Sequence, residues 1–382
     1  MRVLHVHERA GFYGGVEQIL HDIAAGLADR GLPQGLLHAD PRPRSDYLGV
    51  FADSGTEKAV LERFQPDVLL LHKLQDPGRV ADLAARFPTA RMVHDHDLVC
   101  PRRHKYFPLS KRVCDRPAGA ACWTHLCFVQ RAQGGPLPIK LKGTREVRAA
   151  LAAHVNVRRL IVGSRWMRDE LRANGLPPAR IRIVPPVPRS LARCEQQPPS
   201  SSPEVLYVGQ VIRGKGVDLL LKALAQVPGE WHATVVGTGN HLDACKALAI
   251  KLDIAHRITF TGWVDHAALD AYYARASVSA VPSRWPEPFG MVGIEAMARG
   301  RPVVGFAVGG IPDWLDHGTT GLLAREADTD ALADNLARLL ADPELAALLG
   351  RRAAARVRER YSPDACLDQL TRVLRETVAD FG

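Results

Sequence analysis

The sequence lacks any long hydrophobic run. Its longest apolar stretches are strand-sized, such as Val68–Leu71, far short of the roughly 20 residues a membrane-spanning helix needs. The opening residues, MRVLHVHERAGFYGG, hold no apolar signal-peptide core and no small-residue cleavage site. A soluble cytoplasmic protein is therefore expected. No G-x-G-x-x-G fingerprint is present, and no acidic residue closes an evident second strand about 20 residues further on, which speaks against a dehydrogenase. The cysteines form no C-x₂-C knuckle. No long internal repeat occurs, and low complexity is confined to one short linker. With 46% hydrophobic and 24% charged residues, bulk disorder is excluded.

The 382 residues are enough for two domains with a core each. Lys and Arg number 50 against 41 Asp and Glu, a net charge of +9, and the excess is unevenly spread. Residues 1–195 carry +12, residues 196–382 carry −3, and the stretch from Leu98 to Arg148 alone carries +9. Such asymmetry suits an anionic partner: a phosphorylated substrate, a phospholipid surface or nucleic acid. Within it, Arg102-Arg103-His104-Lys105-Tyr106-Phe107 interleaves cations with aromatics.

Short apolar runs alternate with amphipathic segments in two series. Val3–Val6, Val68–Leu71, Leu160–Val162 and Ile181–Val184 read as buried parallel strands, with helices over Val16–Arg30 and Arg145–His154. The Pro/Ser stretch 196–203 reads as a linker. The alternation then restarts, with strands at Val205–Val208, Ala233–Val236, Ile258–Thr261, Val278–Val281 and Pro302–Gly305. Helices are expected over Val217–Val227, His241–Leu252, Gly290–Arg299 and Thr329–Leu340, and the chain is helical from Pro343 onward. The pattern predicts an α/β protein with two doubly wound, Rossmann-like domains facing a central cleft. The first spans 1–195 with a basic, Cys-containing insertion at about 98–140, and the second spans 204–360. A helix over 361–382 is expected to pack back toward the first domain.

Several clusters are candidates for chemistry. Gly14 and Gly15 follow the first strand and open a helix, where backbone amides can meet an anion. His94-Asp95-His96-Asp97 ends a strand, and unpaired charges there are costly to bury. Cys100, Cys114, Cys122 and Cys127 fall close together; a structural zinc, reduced packing cysteines and disulfides all remain open, and no metal is assigned. Arg213 and Lys215 sit between a strand and a helix, suited to a diphosphate. Gly237 and Gly239 repeat the strand-to-glycine turn. Glu287 and Glu295 bracket the start of the helix predicted from Gly290, where carboxylates can accept sugar hydroxyls.

Together these residues resemble glycosyltransferase family 4, whose members are retaining enzymes with the GT-B fold. The resemblance covers nearly the whole chain. It rests on EPFGMVGIEAMARGRPVV with Glu287 and Glu295 in Glu-x₇-Glu spacing, on Gly14-Gly15-x-Glu17, and on the HD-x₄-CP stretch from His94 to Pro101. Lys215-Gly216, Gly237-x-Gly239 and Gly309-Gly310-Ile311-Pro312 also match.

The resemblance implies metal-independent transfer from a UDP- or GDP-sugar to an acceptor hydroxyl, with no required cofactor. It assigns Glu295 to the ribose, Glu287 to the donor sugar, and the amides of Phe289, Gly290, Met291 and Val292 to sugar and phosphates. Lys215 would neutralise the leaving diphosphate, with Gly15 amides reaching it too. His94 would lie beside the donor sugar with Asp95 as polar neighbour, and Val264 would lie on the base-binding loop. The acceptor, an anionic or lipid-linked glycan, would lie on the basic first half, with peripheral attachment to the inner membrane face. Two departures stand out. Gln210 replaces an Arg common in the family, leaving Arg213 as candidate cation, and the hinge reads Pro185-Pro186-Val187-Pro188. The competing readings are a non-catalytic nucleotide-sugar-binding protein and, third, a nucleic-acid-binding protein; nucleic acid is not the expected partner.

Overall fold

The computed structural model describes residues 1–110, 112–131, 139–141, 143–194, 196, 202–265 and 268–381, the side chains of residues 57, 58, 130, 131 and 140 apart. Most of the Pro/Ser linker (197–201) and residues 132–138 of the basic insertion lie outside them. The chain divides into two compact units. One comprises Met1–Arg103, Asp115–Ser190 and Pro363–Gly382; the other comprises His104–Cys114 and Leu191–Ser362.

The first unit holds strands β1 (Val3–Val6), β2 (Gln34–Leu37), β3 (Asp53–Gly55), β4 (Val68–Leu71) and β5 (Thr89–Val93), a small antiparallel hairpin β6 (Val129–Arg131) and β7 (Ile139–Leu141), then β8 (Arg159–Val162) and β9 (Ile181–Ile183). All but the hairpin form one parallel sheet in the order β3-β2-β1-β4-β5-β8-β9. Every residue of β1 and β4 is buried, as expected for parallel strands covered on both faces. The helix Pro363–Ala379 belongs to this unit and buries Leu367, Leu370, Val373 and Leu374, each worth roughly 1.5–3 kcal/mol of burial.

The second unit holds β10 (Glu204–Val208), β11 (His232–Val236), β12 (Ile258–Gly262), β13 (Val278–Val281), β14 (Val303–Phe306) and β15 (Gly321–Ala324). They form a parallel sheet in the order β12-β11-β10-β13-β14-β15. Both sheets are doubly wound, the α/β class that the alternation of elements predicts.

Strands β2, β3 and β15 carry no legible signal. In β2 the run is Gln34-Gly35-Leu36-Leu37, and its buried Gln34 masks the apolar pattern. Residues 104–114 differ from expectation: they lie in the basic insertion of the first half, yet they cluster with the second unit.

Candidate functional site

In the second unit the strand order reverses beside β10, with β11 on one side and β13 on the other. Open α/β sheets bind ligands beyond the carboxyl ends of strands flanking such a reversal. The segments leaving those ends, 209–216 after β10 and 282–290 after β13, carry Lys215 and Glu287.

Lys215 ends a single turn of 3₁₀ helix, Arg213–Lys215. Its Nζ donates to both carboxylate oxygens of Glu287, at 2.7 and 2.9 Å. Ser283 Oγ donates to Glu287 Oε1 at 2.5 Å. Glu287 is only 4% exposed, and a carboxylate so placed is tolerable because it is paired and hydrogen-bonded. The amides of Arg284 and Trp285 donate to the Gly214 carbonyl at 3.0 and 2.9 Å, tying the two segments together. The Trp285 ring lies 5.9 Å from Lys215 Nζ. Gly216 has φ +73°, and a Cβ there would stand 1.8 Å from the Pro282 carbonyl oxygen. Only glycine permits that approach. Gly237 and Gly239 also sit at close backbone crossings, since a Cβ on either would meet Gly209 O at 1.9 Å or Val211 O at 2.3 Å.

The helix Met291–Ala298 starts from Gly290, left-handed at φ +96°, and no side chain caps it. Uncapped amides at a helix start favour an anion. Phe289 is buried, and its carbonyl accepts from Trp314 Nε1 at 2.6 Å. Glu295 lies in the second turn, buried, its carbonyl accepting from Arg299 Nη1 at 3.0 Å. Burial, and then the Glu295 carboxylate, push the nearby Tyr273 hydroxyl well above its usual range. Arg213 is exposed and Val264 is half-buried on the loop after β12.

The basic–aromatic stretch is not the open cationic surface that its composition predicts. Lys105 is buried, with Nζ 3.9 Å from Cys114 Sγ, so it is no surface cation. Tyr106 bridges to Val113, His104 stacks on Tyr106, and the His104 ring lies 6.1 Å from the Trp285 ring. The Val113 amide donates to Glu326 Oε1 at 2.5 Å. Part of the segment read as an acceptor or nucleic-acid surface is thus packed beside the Lys215 loop.

The first unit reverses beside β1, between β2 and β4. After β1, Gly14 precedes the helix Gly15–Ala28 without a side-chain cap. Glu17 in its first turn accepts from His7 Nε2 at 3.1 Å; burial opposes its ionisation, but the His7 contact holds it below the usual carboxylate range. Asp40, just past β2, accepts from the Ala10 amide at 2.9 Å and from Tyr13 Oη at 3.2 Å, shaping the glycine loop.

The four ionisable residues after β5 divide. His94 Nε2 lies 2.9 Å from His72 Nδ1, and burial, then Lys73, lower its pKa to about 3. Asp95 forms an ion pair with Lys73. Burial would raise its pKa, but the Lys73 ammonium outweighs that and holds it at about 2. His96 is fully buried, edge-on to Trp166. Asp97 meets the buried Arg91 at 3.2 Å, and burial pushes its carboxyl up to about 6. Asp97 and Arg91 line a cavity of about 310 Å³ with Cys100 and His154. Cys100 and Cys127 are buried and Cys114 and Cys122 half-buried. Among the described residues no three His, Cys, Asp or Glu side chains converge as metal ligands would, so the four-cysteine zinc alternative finds no support there.

Sequence reasoning missed Ser283, Trp285, Asp40, Lys73, His72 and Gln34. Asp40 lies just past β2, whose run Gln34-Gly35-Leu36-Leu37 carries no strand signal, so its place after a strand end is hidden in the sequence. Trp285, Lys73, His72 and Gln34 are single residues whose roles come from partners distant in sequence, and Ser283 acts on Glu287 across a turn that its residue type does not announce.

Whole-chain comparison matches solved GT-B glycosyltransferases. Sucrose-phosphate synthase from Thermosynechococcus elongatus aligns with a TM-score of 0.78 at 23% identity, covering 100% of both chains. Anabaena HepE in complex with UDP-glucose aligns with a TM-score of 0.74 at 20% identity, covering 98% of this chain and 100% of that one. The fold is therefore GT-B. Among curated proteins, the D-inositol 3-phosphate glycosyltransferase of Mycobacterium avium is 35% identical over 217 residues, 53% of this chain and 51% of that protein. The alpha-D-kanosaminyltransferase of Streptomyces kanamyceticus is 32% identical over 177 residues, 46% of each. The chain spans about half the length of the curated relatives it matches. Residues 189–356, which hold Lys215, Glu287 and Glu295, match the family model of the glycosyl transferases group 1.

Proposed function

We propose that this chain is a retaining glycosyltransferase of hexosyltransferase type, moving a sugar from a UDP- or GDP-sugar to an acceptor hydroxyl without a metal. The observation that carries the reading is the Lys215–Glu287 pair at the β10/β13 reversal, beside the uncapped start of the helix Met291–Ala298. A diphosphate offered there competes with Glu287 for the Lys215 ammonium and takes the amides of Phe289, Gly290, Met291 and Val292. Glu287 is thereby released to accept hydroxyls of the donor sugar, and Glu295 accepts those of the ribose. Gly237, Gly239 and Val264 contribute backbone to the nucleotide, and Arg213 supplies the cation that Gln210 does not.

As the anomeric C–O bond breaks, charge develops on the diphosphate, where Lys215 and the helix start stabilise it. The departing phosphate oxygen takes the acceptor's proton, and the new bond forms on the face the diphosphate leaves. Gly14 and Gly15 lend amides to the phosphates. Neutral His94 hydrogen-bonds a donor-sugar hydroxyl and is no general acid, because its pKa of about 3 leaves it unprotonated. Asp95, neutralised by Lys73, is its polar neighbour.

The acceptor we favour is an anionic or lipid-linked glycan, in polysaccharide, glycolipid or glycosylated natural-product assembly. Trp123, Leu126, Ile139 and Leu141 are exposed in the basic insertion, a composition suited to peripheral contact with an anionic bilayer, at about 1 kcal/mol per nearby cation. No helix among the described residues is long and apolar enough to cross a membrane.

The complex of the similarly folded Anabaena HepE with UDP-glucose makes UDP-sugars the first donors to try. A thermal-shift panel of UDP, GDP, UDP-hexoses and GDP-mannose, with and without EDTA, tests donor binding. A ligand at 100 times its Kd adds about 2.7 kcal/mol. Stabilisation by one nucleotide series regardless of EDTA is the expected result. Binding without turnover would favour a non-catalytic nucleotide-sugar protein, and an inverted anomeric product would overturn retention.

A further inference from the structure

Behind His94 the first unit buries a column of rings running across the centre of its sheet. His94 Nε2 lies 2.9 Å from His72 Nδ1. His72 Nε2 lies 3.0 Å from His5 Nδ1, and His5 Nε2 lies 2.9 Å from Gln34 Oε1. Neighbouring rings are nearly parallel and meet edge to edge through their nitrogens, with centroids 5.2 Å apart at each step and interplanar angles of 23° and 18°. They come from β1, the end of β4 and the end of β5, neighbours in the sheet, and Gln34 comes from β2 on the far side of β1. His5, His72 and Gln34 are buried.

Each nitrogen in this column must be either a donor or an acceptor, and the choice is forced from one end. Gln34 Nε2 donates to the Leu32 carbonyl at 2.7 Å. A flipped amide would set oxygen against oxygen there, so Oε1 faces His5. An oxygen without a hydrogen accepts, so His5 Nε2 carries the proton. Burial holds His5 neutral, with a pKa of about 4, and a neutral imidazole has one N–H. Its Nδ1 therefore accepts, and His72 Nε2 must donate. His72, also neutral by burial, then has a bare Nδ1, which obliges His94 Nε2 to donate. His94 is left with Nδ1 as a lone pair, and no described residue hydrogen-bonds it.

We infer that Gln34, through His5 and His72, fixes the tautomer of His94, so that His94 presents an acceptor nitrogen and no donor. Gln34, His5 and His72 are positioning residues. The functional consequence rests on the glycosyltransferase reading: such a nitrogen selects a hydroxyl that can donate, and holds it without exchanging a proton. A histidine free to change tautomer would offer that hydroxyl an N–H part of the time. The glutamine and the two histidines can be buried there because each is hydrogen-bonded within the column.

Long-range proton–nitrogen correlation on the uniformly labelled full chain reads each ring directly and needs no substrate. The expected pattern is an Nε2–H tautomer for His5, His72 and His94 alike. A protonated Nδ1 on any of the three overturns the inference. Gln34→Leu should give His94 a mixed pattern and lower kcat/KM for transfer by about tenfold, the worth of one hydrogen bond. Gln34→Glu, buried and therefore protonated, can donate its O–H to the Leu32 carbonyl while its other oxygen accepts from His5, and should restore the single tautomer and most of the activity. An unchanged His94 signal in Gln34→Leu overturns the relay even if that variant is less active. Absence of turnover in the unaltered chain counts against the transfer reading alone, because the nitrogen pattern stands or falls without it.

Discussion

At the scale of single residues, the second unit's site is organised around one buried ion pair with a hydroxyl attached. Lys215→Ala leaves Glu287 with Ser283 as its remaining partner, so the variant should lose about 1–3 kcal/mol in chemical denaturation as well as donor binding. Lys215→Ala with undiminished transfer would remove the diphosphate assignment. The first unit offers a sharper test at Asp97, whose carboxyl is pushed from 3.8 up to about 6 by burial. A folded-state pKa above the unfolded one means that stability is full below about pH 4 and declines as pH rises through about 6. Asp97→Asn should abolish that decline, and equilibrium unfolding across this window reads it. These residues also mark the limit of sequence reading. Lys215, Glu287 and Glu295 stand in strings whose residue types announce anion and hydroxyl chemistry. Gln34 and Lys73 act on His5 and Asp95, partners that only the folded chain brings near.

At the scale of elements, the strands that bear the site were legible because parallel strands bury both faces and read as unbroken apolar runs. Val68–Leu71 and Val278–Val281 match their predicted limits. Edge and interrupted strands were not: β2 carries Gln34, and β3 is Asp53-Ser54-Gly55. The loop–loop contact under the ion pair depends on Gly216. Gly216→Ala would force a Cβ into the Pro282 carbonyl, 1.8 Å away, at φ +73°. We expect a loss of about 1–3 kcal/mol, from strain and displaced backbone, together with weakened nucleotide binding. Differential scanning calorimetry with and without nucleotide separates the two effects. A variant with wild-type stability would mean that the loops tolerate separation.

At the scale of the whole molecule, the two units differ in how they should meet acid. His5, His94 and His154 in the first unit are lowered by burial to about 4, 3 and 3, and His72 is lowered further in the same direction. In the unfolded chain each protonates near 6.5, so stability present above that pH is lost as pH falls toward the folded values. The second unit has no such buried histidines among its described residues. Hydrogen exchange followed between pH 7 and 4 should show protection failing first in β1, β4 and β5. Simultaneous loss in both sheets would mean that the units unfold as one.

The helix Pro363–Ala379 has a consequence for biosynthesis. Residues 1–190 emerge early from the ribosome, yet their core is closed by a helix translated after the entire second unit. Domains that fold during synthesis generally do so in order, N-terminal first; here the later-made unit can finish before the earlier one. Until that helix arrives, the nascent first unit presents the surface meant for Leu367, Leu370 and Leu374 to solvent and to chaperones.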